Sequence, residues 1–71
     1  MHIGESGRIA TVHDSPFSQR LIEMGCVPGT LLTLEISAPG GDPLAFYVDG
    51  YMLALRKKEA RTIELVTEKN G

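Results

Sequence analysis

An Asp-Gly pair at the centre of the chain constrains the fold more than any other feature. Asp49 and Gly50 separate two apolar runs of five residues each. A type I′ turn needs a positive φ at both central positions, which Asp and Gly accept, so the pair predicts a two-residue β-hairpin. The turn length also fixes the strand register, and it places Phe46 opposite Leu53.

The hairpin register divides the two runs into two faces. One face, which we expect to point into the core, carries large apolar residues: Leu44, Phe46, Val48, Tyr51, Leu53 and Leu55. The other face pairs Ala45 with Ala54 and Tyr47 with Met52. This second face is a candidate outer wall or contact surface.

Three further segments show features of strands. Residues 30–37 and 61–66 alternate apolar with polar side chains, as expected for strands with one buried face. The residues of these two segments predicted to face the core are Leu32, Leu34, Ile36, Ile63 and Leu65. Residues 7–13 predict a first strand in which Ile9 and Val12 have opposite parity. A β-bulge or a twist is needed there to place both side chains inward.

A short helix is predicted between the first and second strands. Ser15 is placed to cap it, with Pro16 at its first helical position. The apolar residues that recur at helical spacing on one face are Phe17, Leu21 and Met24. Gly25 is expected to end the helix.

Turns separate these elements at short intervals. Pro28 and Gly29 favour a type II turn before the second strand. Residues 38–43 contain two prolines and two glycines and are expected to connect two strands. Residues 56–60 are polar and suit one helical turn. The structural turn positions in this interpretation are Gly25, Gly29, Asp49 and Gly50.

The order of elements predicts a mainly β fold in a single domain, residues 1–71, with a core at 7–66 and a frayed tail at 67–71. Five short antiparallel strands with one helix between strands 1 and 2 favour a small SH3-like barrel. Closing the sheet into a barrel removes its exposed edges.

The length of the chain disfavours catalysis. A domain of 71 residues buries only about 60% of its unfolded surface, so a deep cleft would compete with the core for side chains. No nucleophile, base and oxyanion set is recognisable in the sequence. We therefore expect a protein that is not an enzyme.

Charge and cysteine content suggest the environment of the protein. The formal net charge of -2 gives no long-range attraction to phosphate backbones, so nucleic acid is not the expected partner. The single cysteine forms no internal disulfide and fits a reducing cytoplasm. No apolar run reaches the ~18 residues of a membrane span, and the first residues do not resemble a signal peptide.

Side chains that bind metals are scattered along the sequence. They are His2, His13, Asp14, Cys26, Asp42 and Asp49, and none has the spacing of a ligand set. We expect no metal site and no cofactor. Cys26 has no basic neighbour in sequence, so a packed thiol is expected. The basic run 56–58 is expected to be a solvated face, not a phosphate site.

Four segments occur together in a characteristic order and spacing. They are residues 20–25, 27–30, 38–43 and 51–60, with the sequences RLIEMG, VPGT, APGGDP and YMLALRKKEA. In these segments the chain resembles the ferrous iron transport protein A family (FeoA), and the resemblance covers roughly residues 7–66.

The resemblance implies an SH3-like barrel with a cytosolic accessory role. Family members look like partners of FeoB, the membrane ferrous-iron permease that carries a cytosolic GTP-binding domain. The barrel also resembles the C-terminal domain of iron-dependent repressors of the diphtheria toxin repressor type.

The helix provides a candidate partner surface. Ile22 lies off the apolar stripe of the helix, between charged residues, which suggests an apolar spot with a charged rim. The alternative is that Ile22 packs under the turn at Pro28 and Gly29. The residues proposed to bind a partner are Arg20, Ile22, Glu23, Val27 and Pro28.

The leading hypothesis is a non-catalytic, cytoplasmic accessory protein of ferrous iron uptake. It would bind the cytosolic G-protein domain of a FeoB-type permease and lie at the inner membrane only through that partner. One alternative is a metal-linked regulatory domain akin to the repressor appendage, and a second is a nucleic-acid-binding SH3-like module. Weak self-association is left open.

Overall fold

The computed structural model describes residues 2–67, in which five strands and two short helices follow one another in the predicted order. A single 3₁₀ turn, Pro39–Gly41, lies in the connection before the third strand. The elements are β1 (Ser6–Val12), α1 (Ser18–Glu23), β2 (Leu31–Ser37), β3 (Leu44–Val48), β4 (Tyr51–Leu55), α2 (Lys57–Ala60) and β5 (Ile63–Thr67).

The strands form one antiparallel sheet in the order β4-β3-β2-β1-β5. The mainly β class and the position of α1 between β1 and β2 are as predicted. The closed barrel is wrong, because β4 and β5 remain unpaired edges within residues 2–67. Helix α2 connects these two strands along the chain, and Leu21 of α1 belongs to the buried core.

The turn and the register of the predicted hairpin are confirmed. Asp49 and Gly50 have φ values of 42° and 95°, and Phe46 lies opposite Leu53. The buried apolar residues form one cluster: Ile9, Leu21, Cys26, Leu32, Leu34, Phe46, Val48, Leu53 and Leu55. Both strands of the hairpin therefore contribute to the core, as their register requires.

Two side chains predicted to be buried are exposed. Ile36 is 55% exposed because the β2–β3 register shifts between Leu34 and Ile36, which ends the alternation. Tyr51 is 43% exposed because it lies at the end of β4, where its ring extends towards the end of α1. In both cases the alternation of apolar and polar residues predicts the direction of a side chain only where the strand pairing is regular.

The first strand contains the expected irregularity. The β1–β5 register shifts between Ile9 and Thr11. Ile9 is buried and Val12 packs against the core, so the bulge places both side chains inward, as predicted.

Strand β5 continues to Thr67, which pairs with Gly7 of β1. Thr67 was predicted to be the first residue of the frayed tail. The rest of that tail, residues 68–71, lies outside the described residues.

Helix α1 begins at Ser18, later than Ser15 and Pro16 predicted. The hydroxyl of Ser15 accepts a hydrogen bond from the Phe17 N–H at 3.1 Å, which stabilises a turn before the helix. The first helical bond runs from the Leu21 N–H to the Phe17 carbonyl at 3.0 Å. Ser15 therefore caps the preceding turn, because its short side chain competes for the nearest free N–H groups.

A buried carboxylate joins the two helices. Glu59 of α2 is 2% exposed. One of its oxygens accepts the Arg56 N–H at 2.8 Å, and the other pairs with the Arg20 guanidinium of α1 at 2.8 Å. Both partners are needed, because a buried carboxylate without hydrogen bonds is strongly destabilising.

The basic run 56–58 is exposed, as expected for a solvated face, and it also makes specific contacts. Asp42 pairs with Arg56 at 3.1 Å and accepts the Lys57 N–H at 3.0 Å, which fastens the connection before β3 to the start of α2. The Lys58 ammonium lies 5.6 Å from the ring centroid of Phe17, within range of a cation–π contact. The charges of Arg56 and Lys58, with the backbone N–H of Lys57, thus help to hold α2 in place.

We expect Leu53→Ala to reduce the free energy of unfolding by roughly 2–5 kcal/mol, because it removes side-chain volume at the centre of the hairpin core. Chemical denaturation measures this loss. Met52→Ala is the matched control on the outer face and is expected to change stability by about 0.5 kcal/mol or less. A loss below about 1 kcal/mol for Leu53→Ala would contradict the observed packing.

We expect Glu59→Ala to destabilise the domain by roughly 2–4 kcal/mol, because it removes the acceptor for Arg56 and the partner of Arg20. Glu59→Gln keeps an acceptor oxygen and should lose less. Glu23→Ala, on an exposed part of α1, serves as the control in the same denaturation series. Equal losses for Glu59→Ala and Glu23→Ala would show that the contacts of Glu59 with the two helices do not stabilise the domain.

Candidate functional site

Helix α1 ends in a Schellman motif. The Gly25 N–H donates to the Ile22 carbonyl at 3.0 Å, and the Cys26 N–H donates to the Leu21 carbonyl at 2.9 Å. Gly25 has a φ of 95°, which confirms that it ends the helix. The two bonds satisfy carbonyl groups at the helix end and fix the direction in which the chain leaves it.

The next four residues form the predicted type II turn. The Thr30 N–H donates to the Val27 carbonyl at 3.1 Å, and Gly29 has a φ of 93°. The Gly29 N–H then donates to the Ile9 carbonyl of β1 at 2.7 Å. Residues 25–30, which we call the 25–30 turn, are therefore anchored at both ends.

Tyr51 connects this turn to the hairpin. Its hydroxyl donates to the Met24 carbonyl at 2.5 Å. A Cβ placed on Gly25 would lie 2.6 Å from the same hydroxyl oxygen, so a larger residue at this position would push the tyrosine away. Gly25 is thus required both for its backbone conformation and for the close approach of Tyr51.

All five residues predicted to bind a partner are exposed. We call them the predicted partner surface: Arg20, Ile22, Glu23, Val27 and Pro28. Ile22 is 45% exposed and Val27 is 40% exposed, so Ile22 does not pack under the turn. The Arg20 side chain remains 64% exposed although it pairs with Glu59. The geometry shows an accessible surface, and its use in binding stays a prediction.

A groove of about 590 Å³ lies beside the predicted partner surface. The 25–30 turn forms one wall and the closed end of the β3–β4 hairpin forms another. The lining residues that define its character are Arg8, Val27, Leu31, Tyr47, Asp49 and Tyr51. Two tyrosines and two aliphatic side chains, with one charge of each sign, suit a peptide segment of mixed polarity.

Most of this groove was not predicted from the sequence. The hairpin register places Tyr51 in the core and Tyr47 on a face predicted as an outer wall or contact surface, and no motif points to Arg8. In the structure Arg8 donates to the Gly29 carbonyl at 3.1 Å and so borders the same turn. A usable signal was the pair of tyrosines near the hairpin turn, because exposed tyrosines are common in protein contacts.

The cysteine and the other side chains of types that bind metals are not gathered at one place in the described part of the chain. Cys26 is fully buried, and burial raises the pKa of its thiol, which lowers the thiolate fraction available for reaction. His13 lies 3.7 Å from Glu64 on the exposed side of β5. Within residues 2–67 no three His, Cys, Asp or Glu side chains gather into a group that would hold a metal.

Helices in the described part of the chain are short. The longer of the two, α1, has six residues. Across residues 2–67, no helix has the length and apolar content needed to cross a membrane.

Comparison with known proteins identifies the family. A family model described as the FeoA domain matches residues 1–67. A relative from Porphyromonas gingivalis (strain ATCC BAA-308 / W83), the Fe(2+) transport protein A/Fe(2+) transporter FeoB fusion protein, is 33% identical over 66 residues. The match covers 92% of this chain and 8% of the relative, so this chain corresponds to a small part of that protein.

Solved structures share the fold. The NMR structure of a FeoA-like protein from Clostridium acetobutylicum matches with a TM-score of 0.89 and 33% identity, covering 100% of this chain and 84% of that chain. The crystal structure of Stenotrophomonas maltophilia FeoA complexed with zinc, described as an SH3 domain protein, matches with a TM-score of 0.82 and 28% identity, covering 93% and 84%. The fold is therefore SH3-like, and the chain belongs to the FeoA family.

Proposed function

We propose that this chain is a non-catalytic accessory protein of ferrous iron transport that binds the cytosolic G-protein domain of a FeoB-type permease. The observation that carries the proposal is the Porphyromonas gingivalis relative, in which a matching segment and an Fe(2+) transporter FeoB belong to one chain. Fusion holds two domains at a high effective concentration. A functional contact between the two domains needs a surface on this one with affinity for the permease.

The predicted partner surface has the composition of such a contact. Ile22 and Val27 provide exposed apolar side chains, and Arg20 and Glu23 add charges of both signs. An apolar centre with a polar rim is the usual arrangement in protein interfaces. The adjoining groove adds two tyrosines, a residue type that often contributes strongly to binding energy.

The backbone under this surface is already fixed before any partner binds. The Schellman motif, the type II turn and the Tyr51 hydrogen bond each hold a different part of it. Little conformational entropy is therefore lost on association. A preformed surface supports binding by a domain whose contact area is necessarily small.

The partner determines the location and the mode of action. Binding to the permease places the chain in the cytoplasm, on the inner membrane only through that partner. A small, non-catalytic domain changes transport by having different affinities for two states of the permease. The GDP and GTP states of the G-protein domain are the natural pair.

The two alternative functions stay predictions. Among the described residues, no group of metal-binding side chains supports the metal-linked regulatory function. A formal net charge of -2 gives no general attraction to nucleic acid.

We expect NMR titration with the isolated cytosolic domain of the FeoB-type permease from the same organism to shift signals across residues 20–30. Ile22→Ser should weaken binding at least about tenfold, because it removes an apolar contact from the centre of the surface. Ile36→Ser makes the same change at an exposed isoleucine on β2 and should leave the affinity within about twofold. Equal effects of the two variants would contradict the assignment of the surface.

The same titration tests regulation when it is run once with GDP and once with a GTP analogue. We expect the dissociation constants to differ by at least about fivefold, the lower range of typical allosteric coupling. Equal affinities in both nucleotide states would exclude regulation through that switch, because a ligand that binds two states equally shifts neither.

A further inference from the structure

We propose that two copies of this chain associate through antiparallel pairing of β4 with β4, which joins their sheets edge to edge. Strand β4 lies at one edge of the sheet and is paired on one side only, with β3. The proposal is independent of the proposed function, because it concerns the edge of the sheet and not the predicted partner surface.

The hairpin register determines which backbone groups point away from β3. In a two-residue hairpin the residues that flank the turn, Val48 and Tyr51, form a hydrogen-bonded pair, and the pattern then alternates along the strand. Leu53 is therefore bonded to β3, whereas Met52 and Ala54 direct their N–H and C=O groups outward. Within residues 2–67 those outward groups have no backbone partner.

This edge lacks the features that normally prevent pairing. Strand β4 contains no charged residue, proline or glycine, and its register with β3 continues without a bulge. Natural edge strands are usually protected by one of these features. The other edge, β5, carries Glu64, and its pairing with β1 is broken by a bulge. Of the two edges, β4 is the one suited to a partner strand.

A second copy of β4 is geometrically complementary to the first. If a two-fold axis passes beside Leu53, Met52 of each copy lies opposite Ala54 of the other. This register pairs every outward N–H with an outward C=O and forms four hydrogen bonds. Two-fold axes centred on Met52 or Ala54 would leave some of these groups unpaired.

The side chains fit the same register. Met52 is 49% exposed on the outer face of the sheet, and Ala54 is also exposed there. Each long methionine side chain would lie beside the small side chain of Ala54 across the junction, so no bulky pair is forced together. The row formed by Tyr47 and Met52 on one copy would continue onto the other.

The occupant we infer is a second copy because its strand brings the required features together: extended, uncharged, and with outward groups at the matching spacing. The contact involves a strand of only five residues, so it is far smaller than a standard protein interface. We therefore expect weak association, with a dissociation constant between about 0.1 and 1 mM.

Hydrogen exchange in the wild-type protein tests the backbone geometry. Between about 10 μM and about 1 mM protein, amide exchange at Met52 and Ala54 should slow severalfold as dimers form. Leu53, whose amide is already bonded within the hairpin, provides the internal control and should change much less. Analytical ultracentrifugation over the same concentration range should show the average mass rising from that of a monomer towards that of a dimer. A monomer throughout, or no slowing at Met52 and Ala54, would overturn the proposal.

Charge complementation tests the register. The double variants M52K/A54K and M52E/A54E each place like charges opposite each other and should weaken self-association at least about tenfold. An equimolar mixture of the two should restore it, because Lys then faces Glu at both positions. A10K adds a charge on central strand β1 and should not affect association.

Mixing the two double variants gives a result that either supports or contradicts β4–β4 pairing. Restoration by the mixture supports β4–β4 pairing. Association that persists unchanged in each separate double variant, or two folded variants that do not associate when mixed, would overturn it. Response of the Met52 and Ala54 amides only to the added permease domain would assign the edge to a different protein, and Ile22→Ser tests the proposed function separately.

Discussion

The turn at Asp49 and Gly50 requires a positive φ at both residues, and this requirement determines far more than the turn itself. With two residues in the turn, the register directs Leu53 into the core and turns the outward backbone groups of Met52 and Ala54 to the edge. The same geometry brings Tyr51 over the end of α1. Core, groove and sheet edge thus depend on one local constraint.

Features governed by neighbouring residues were predictable from the sequence. Gly25 ends α1 because few other residues adopt its φ, and the bulge in β1 follows from the opposite parity of Ile9 and Val12. The exposed position of Ile22 also follows from helical periodicity, although its packing under the turn was an open alternative. In each case the decisive physics lies within a few residues along the chain.

The errors concern interactions between segments that are distant in sequence. The bulge that exposes Ile36 depends on how β2 meets β3, and the exposure of Tyr51 depends on where α1 ends. Burial of Glu59 depends on Arg20, which lies 39 residues earlier. A local signal for Glu59 did exist, since its position three residues after Arg56 is that of a carboxylate that returns to cap its own helix. Glu59 directly follows the basic run 56–58, and that run was interpreted only as a solvated surface.

Tyr51 belongs to both surfaces that we assign to binding, because its ring lines the groove while its backbone begins β4. A partner that displaced the Tyr51 hydroxyl from the Met24 carbonyl would act directly on the first residue of the edge strand. Pairing along β4 would in turn hold that residue more firmly. Any coupling between the two surfaces is therefore reciprocal, and it passes through one side chain whose position is set by the space that Gly25 leaves for it.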